Sequence, residues 1–161
     1  MPALKKTAPS PPIDSPDRRR LPPLLRRAWY GLNQAFRRRL AHLELTPDQF
    51  TVLRTLIEQD GISQSQLTAT MTSDPNTVAS LVNRMEKAGL IERETHAHDR
   101  RANRLGVRSK GRVRYQQARK IAVSLQSEIL AALPETEREG FLVQLAAIAD
   151  ACRSAAEKSS E

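Results

Sequence analysis

The chain has 161 residues, of which 39% are hydrophobic and only 4% aromatic, with a mean hydropathy of −0.52; that suits one domain of ordinary size with an aliphatic core and a very polar surface. A formal net charge of +8 and a pI near 10.4 point to a polyanionic partner. One cysteine, Cys152, excludes an internal disulfide and a cysteine zinc cluster, no apolar run is long enough to span a bilayer, and no signal-peptide core opens the chain, so a protein of the reducing cytoplasm, with no membrane partner, is expected.

Residues 1–20 are proline-rich, carry the run Arg18 to Arg20 and hold almost nothing apolar. Such a composition cannot offset its own ordering entropy, and a disordered basic arm is expected there. From Leu21 to about His42, apolar residues at 21, 25, 28, 32, 36, 40 and 43 recur at a helical period with arginines outside. Thr46-Pro-Asp-Gln49 is a capping box with proline at the first helical position. It predicts a short helix with Phe50, Leu53, Leu56 and Ile57 inward, closed by Gly61. Ser63-Gln-Ser-Gln66 is a second capping box, opening a helix of two or three turns that buries Leu67 and Met71.

Asp74 and Pro75 then open a helix of about residues 74–88, a carboxylate cap followed by a ring with a suitable fixed φ. Gly89 stops it in the left-handed manner. Val78, Leu81, Val82 and Met85 form its apolar stripe. Asn76, Ser80, Asn83 and Lys87 line the other side with Thr77 and Arg84 beside them, and that face has no carboxylate. Such a surface suits the floor of a DNA major groove, where Arg reads guanine and Asn reads adenine. An ordinary amphipathic surface helix would look the same in isolation. Two short helices joined by a tight turn, the second polar outside, make a helix-turn-helix.

After Gly89 the period changes to two. Leu90 to His98 alternates loosely, as do Asn103, Leu105 and Val107, around a charged turn at residues 98–102. A β-hairpin with a basic tip, a wing of about residues 90–108, is expected. From Glu92 to Arg114 eight basic residues stand against three acidic ones. Ser109 to Leu133 reads as a long helix with a seam of Ala118, Ala122, Leu125, Ile129 and Ala132. Pro134 ends it, and Glu135 and Glu137 favour the start of a last helix whose seam is Phe141, Leu145, Ile148, Cys152 and Ala155. These seams, with the first helix, exceed what a small winged domain can cover, so a twofold homodimer is expected rather than a compact monomer.

This order of elements resembles the MarR (multiple antibiotic resistance regulator) family over about residues 21–155. The stretch from Thr77 to Arg93, TVASLVNRMEKAGLIER, carries most of the resemblance, followed by Asp99-Arg-Arg-Ala-Asn-Arg-Leu105 and Lys110-Gly111. The fold it implies is mainly α with a small β-hairpin wing: a winged helix-turn-helix, residues 46–108, flanked by dimerisation helices at 21–45 and 109–157. The family's Asp-x-Arg wing signature falls on Asp99 and Arg101, with Arg100 between, the arginine entering the minor groove and the aspartate steadying it. Asn76, Thr77, Ser80, Asn83 and Arg84 would lie in or beside the major groove, and Ser63, Ser65 and Gln66 at phosphates or the groove edge. The family's usual Leu-Thr before the long helix reads Val107-Arg108-Ser109 here, so Ser109 would serve as the cap.

The resemblance implies a DNA-binding transcriptional regulator, a homodimeric repressor of an inverted-repeat operator relieved by a small anionic aromatic ligand. The alternative is a ligand-independent or architectural DNA binder. Trp29 and Tyr30 with Arg26 and Arg27 could stack on a ring and pair a carboxylate, although plain interface packing suits Trp29 as well. Other signals carry less. Gly106-x₄-Gly111 has phosphate-loop spacing, but Arg112-Val113 stand where Lys-Ser/Thr are needed. His96 and His98, with Asp99 or His42, could hold a metal, though exposed hairpin histidines are far commoner. A buried, inert thiol is expected at Cys152, with redox sensing as the minor alternative. No catalytic constellation, cofactor or metal site is expected.

Overall fold

The computed structural model describes residues 12, 15, 16, 20–95 and 103–158. The first helix, α1 (Leu21–Leu40), ends two residues before the expected His42. A 3₁₀ turn, Ala41–Leu43, and Glu44 in the left-handed region (φ 51°) turn the chain there, tucking Leu43 and Leu45 into the core. Helix α2 (Pro47–Glu58) starts with the capping box as expected: Thr46 Oγ1 accepts from the Gln49 N–H at 3.2 Å, and Gln49 Oε1 accepts from the Thr46 N–H at 3.0 Å. Phe50, Leu53 and Leu56 are buried, joined by Val52 and Thr55, whereas Ile57 is half-buried.

Helix α3 (Gln64–Met71) repeats the device, with Ser63 Oγ accepting from Gln66 N–H at 3.2 Å and Gln66 Oε1 from Ser63 N–H at 2.8 Å. Leu67 is buried, but Met71, expected inside, packs half-buried at the edge of the core. Thr72 supplies the turn at φ 50°, ψ 47°, an uncommon conformation for a β-branched residue. Helix α4 (Pro75–Lys87) follows, its Val78, Leu81, Val82 and Met85 all buried. Gly89 leaves it at φ +73°.

Strands β1 (Ile91–Thr95) and β2 (Asn103–Val107) pair antiparallel, Ile91 opposite Val107 and Thr95 opposite Asn103. Ile62 anchors the hairpin to the helices: its carbonyl accepts from the Leu105 N–H at 3.0 Å. Residues 96–102, and with them the expected wing tip, lie outside the described residues, as does nearly all of the expected arm.

Helix α5 (Ser109–Leu130) corrects one expectation: the cap position is Arg108, without a side-chain cap, and Ser109 is already helical. Tertiary contacts set this start. The Arg108 N–H donates to Leu90 O at 3.0 Å, the Arg108 guanidinium pairs with Glu92 at 3.0 Å, and Gly111 lies directly against the Leu90 carbonyl. The helix ends at Leu130, before the expected Leu133. The core is one cluster built from α2, α3, α4, the hairpin, Leu40 to Leu45 and the first half of α5. Phe50 sits at its lower edge, edge-on to Phe36 (5.1 Å between centroids) and stacked on Tyr115 (5.6 Å).

The outer seams fare differently. Ala118 and Leu125 of α5 are buried, Ala122 is half-buried and Ile129 is exposed. Helix α6 (Glu135–Lys158) buries none of its residues within the single chain. Cys152, expected to be buried, is therefore exposed, because no α6 residue is fully buried against the described part of its own chain. No helix among the described residues is long and apolar enough to cross a membrane.

Candidate nucleic-acid interface

The opening turn of α4 sets the geometry. Asp74 Oδ1 accepts from the Thr77 N–H at 2.9 Å, satisfying one of the free donors that every helix start exposes. The Thr77 hydroxyl and backbone together hold the Asp74 carboxyl below its ordinary range. With the apolar stripe buried against α3 and the hairpin, the opposite face cannot rotate inward. Asn76, Thr77, Ser80, Asn83, Arg84 and Lys87 are all exposed along it. Arg84 and Lys87 make no ion pair with another described residue. Both cations therefore face outward without local compensation.

The residues of α3 are arranged less uniformly. Ser65 is exposed, whereas Ser63 and Gln66 spend their side-chain oxygens on the capping box. Gln66 keeps its amide N–H groups free of that box, so it retains donors. Asp99, Arg100 and Arg101 fall outside the described residues, as do His96 and His98; His42 is exposed on the 3₁₀ turn. Among the described residues no cluster of metal-binding side chains occurs.

Sequence reasoning missed the group that ties these parts together. Arg93 on β1 extends its guanidinium under the recognition face. One nitrogen, Nη1, donates to Glu86 Oε2; the other, Nη2, donates to Asn83 Oδ1 at 2.7 Å and reaches Gln64 Oε1 at 3.4 Å. One side chain thus links β1, α3 and α4. A signal was available. Ile91, Leu105 and Val107 are buried, and Arg93 sits on the same face as Ile91, opposite Leu105. A cation at a period-two core position must find partners.

A second region lies on the other side of Phe50. Residues of α1, α2, α5 and α6 line an apolar groove of about 350 Å³, including Phe36, Phe50, Leu125, Ile129 and Phe141, with Arg54 at its margin. Trp29 and Tyr30, both more than half exposed, line a separate recess along α1. The cations beside them there are Arg37 and Arg38; Arg26 and Arg27 are exposed one turn earlier.

Comparison with known proteins agrees with this architecture. A family model described as MarR family matches residues 45–102. The transcriptional regulator HosA of Escherichia coli O127:H6 is 31% identical over 124 residues, 74% of this chain and 92% of that protein. The transcriptional repressor CouR, bound to a 23-mer DNA duplex, is 29% identical with a TM-score of 0.73, covering 78% of this chain and 89% of its own. CouR from Rhodococcus jostii RHA1 bound to p-coumaroyl-CoA is 27% identical over the same shares, with a TM-score of 0.70. The helix-turn-helix with its hairpin, the flanking helices and these similarities lead to one conclusion: the chain belongs to the MarR family and is a transcriptional regulator.

Proposed function

We propose that the protein acts as a homodimeric repressor that binds an inverted repeat in duplex DNA and releases it when a small, anionic aromatic molecule binds. The observation that carries this reading is α4 itself: one face is wholly buried, while the other exposes Asn76, Thr77, Ser80, Asn83, Arg84 and Lys87 with no carboxylate among them. On this reading residues 46–108 read DNA, and residues 21–45 and 109–157 pair the subunits. Ser63, Ser65 and Gln66 flank the major groove, and Asp99, Arg100 and Arg101 serve the minor groove. The absence of any buried residue in α6 supports pairing, since Phe141 and Cys152 of its apolar seam are exposed and Leu145 and Ile148 are only half-buried.

Two subunits related by a twofold axis present α4 to grooves one turn apart, roughly 34 Å. The apolar groove beside Phe50 supports a small-molecule site, as does the p-coumaroyl-CoA complex of CouR. A ligand shifts DNA affinity only through unequal affinity for the two spacings of the reading helices.

Footprinting on a library of duplexes tests the reading. One discrete inverted repeat is expected; a continuous ladder indicates an architectural protein, and no protection overturns DNA binding. If a dimer neutralises on the order of eight phosphates, the log–log salt slope of affinity is about −7. Arg101→Ala should weaken binding to all sequences evenly and flatten that slope, whereas Arg84→Ala should cost mainly sequence preference.

A further inference from the structure

Arg93 has a consequence for which base is read, resting on the proposal that α4 enters the major groove. A guanidinium only donates hydrogen bonds. The atom of Asn83 that faces Arg93 at 2.7 Å is therefore the carboxamide oxygen. The other arm of the guanidinium is held by Glu86, so it is braced from both ends and fixes the rotation of the amide. Oxygen and nitrogen diverge from the same carbon, so an oxygen turned toward β1 leaves the NH₂ group turned away from it. Asn83 is exposed, and this NH₂ is what it offers to the solvent side of α4. The charge behind the carbonyl also polarises the amide and strengthens its N–H donors.

We infer that Arg93 makes Asn83 a donor-only reader, so that the base it faces is guanine in preference to adenine. The paired contact by which an asparagine reads adenine needs the amide oxygen to accept from N6–H while the nitrogen donates to N7. Here that oxygen is turned toward Arg93 and β1, away from the solvent side of α4, so it does not stand beside the NH₂ group to pair with adenine. Guanine presents two acceptors, N7 and O6, and demands nothing but donors. Arg93 touches no base in this scheme; it is a positioning residue that sets the polarity of another side chain.

The test uses the full chain, selection from a randomised duplex library, and anisotropy titration of the selected site and its single-base variants. Asn83→Ala locates the base pair, once per half-site, at which preference collapses. Wild-type protein should favour guanine over adenine there by about tenfold. Asn83→Asp keeps the acceptor for Arg93 but has no donor, so its preference should move to cytosine, whose N4 amino group donates. Arg93→Met frees the oxygen and should shift preference toward adenine, with far-ultraviolet circular dichroism checking its fold. Asn83→Asp changes an exposed residue and keeps the bridge, so its outcome stands whether or not Arg93→Met folds. A wild-type preference for adenine, retention of guanine by Asn83→Asp, or no position altered by Asn83→Ala overturns this inference while leaving the regulator intact. Failure of the wild type to select any sequence removes the DNA-reading function and this inference with it.

Discussion

Gly111 offers a sharp test of how the DNA-reading unit is joined to the rest of the chain. It lies in the first turn of α5, where alanine ordinarily stabilises a helix by about 0.5–1 kcal/mol relative to glycine. Here a Cβ would stand 2.2 Å from the Leu90 carbonyl oxygen and 3.0 Å from Val107 Cγ1. A tolerable carbon–oxygen approach is about 3.3 Å, so one backbone must retreat by roughly 1 Å. Overpacking of that kind costs about 1–3 kcal/mol. The same carbonyl accepts the Arg108 N–H at 3.0 Å, a bond worth about 0.5–1.5 kcal/mol that the retreat would weaken. Net of the helix gain, Gly111→Ala should destabilise by about 2 kcal/mol, lowering the melting temperature by roughly 4–8 °C. Gly140 in α6 has nothing within 4 Å of its would-be Cβ. Gly140→Ala should therefore stabilise by about 0.5–1 kcal/mol. Urea titrations followed by circular dichroism at fixed protein concentration measure both. If Gly111→Ala is as stable as the wild type, the tight docking of α5 on the hairpin is refuted.

Further outcomes can be checked with the same material. Thr46→Ala and Ser63→Ala each remove half of a capping box and should cost about 1 kcal/mol in the same titration; no change in either would mean the box is ornamental. The Asp74 carboxyl titrates below its ordinary value because Thr77 hydrogen-bonds its charged form, so its contribution is fully present above pH 3.8 and is lost as pH falls through the lower, folded value. Asp74→Asn, which caps without titrating, should flatten that part of the acid limb; an unchanged limb would contradict the assignment. Ile148→Glu puts a charge on the half-buried seam of α6 and, on the proposed pairing, should turn dimers into monomers in sedimentation at micromolar concentration, with weakened DNA binding. A variant that stays dimeric would place the subunit contact elsewhere.

The elements most readable from the chain are those whose signals are local. The two capping boxes, Asp74-Pro75 and Gly89 mark the starts and the stop of α2, α3 and α4 within a few residues, and each acts through its own turn. Ser109 looked like a cap because serine caps well, yet the start of α5 is set by Gly111 docking on Leu90, some twenty residues back, which no local pattern encodes. The 3₁₀ turn after Leu40 escaped for a similar reason, since the burial of Leu43 and Leu45 selects it. Among site residues, the polar face of α4 was legible from spacing alone. Arg93 was not singled out, although its place on the inner face of β1 was a clue. The seam of α6 shows which side is apolar, while the chain itself leaves Leu145 and Ile148 half-buried and Cys152 exposed.

The mounting of α5 has a mechanical corollary. At its first turn the Lys110 ammonium donates to the Ala88 carbonyl at 2.8 Å, and the neighbouring Arg108 N–H holds Leu90, so the rod is pinned to the exit of α4 at two points. Its 22 residues span roughly 33 Å, and Leu125 and Ile129 near the far end form one wall of the groove beside Phe50. A tilt of about 3° over that length displaces one end by roughly 1.7 Å relative to the other, more than the whole tolerance of a hydrogen bond. On the proposed ligand site, a molecule wedged between α5 and Phe50 would therefore tug on Ala88, working through the Phe50–Tyr115 stack that joins α2 to α5.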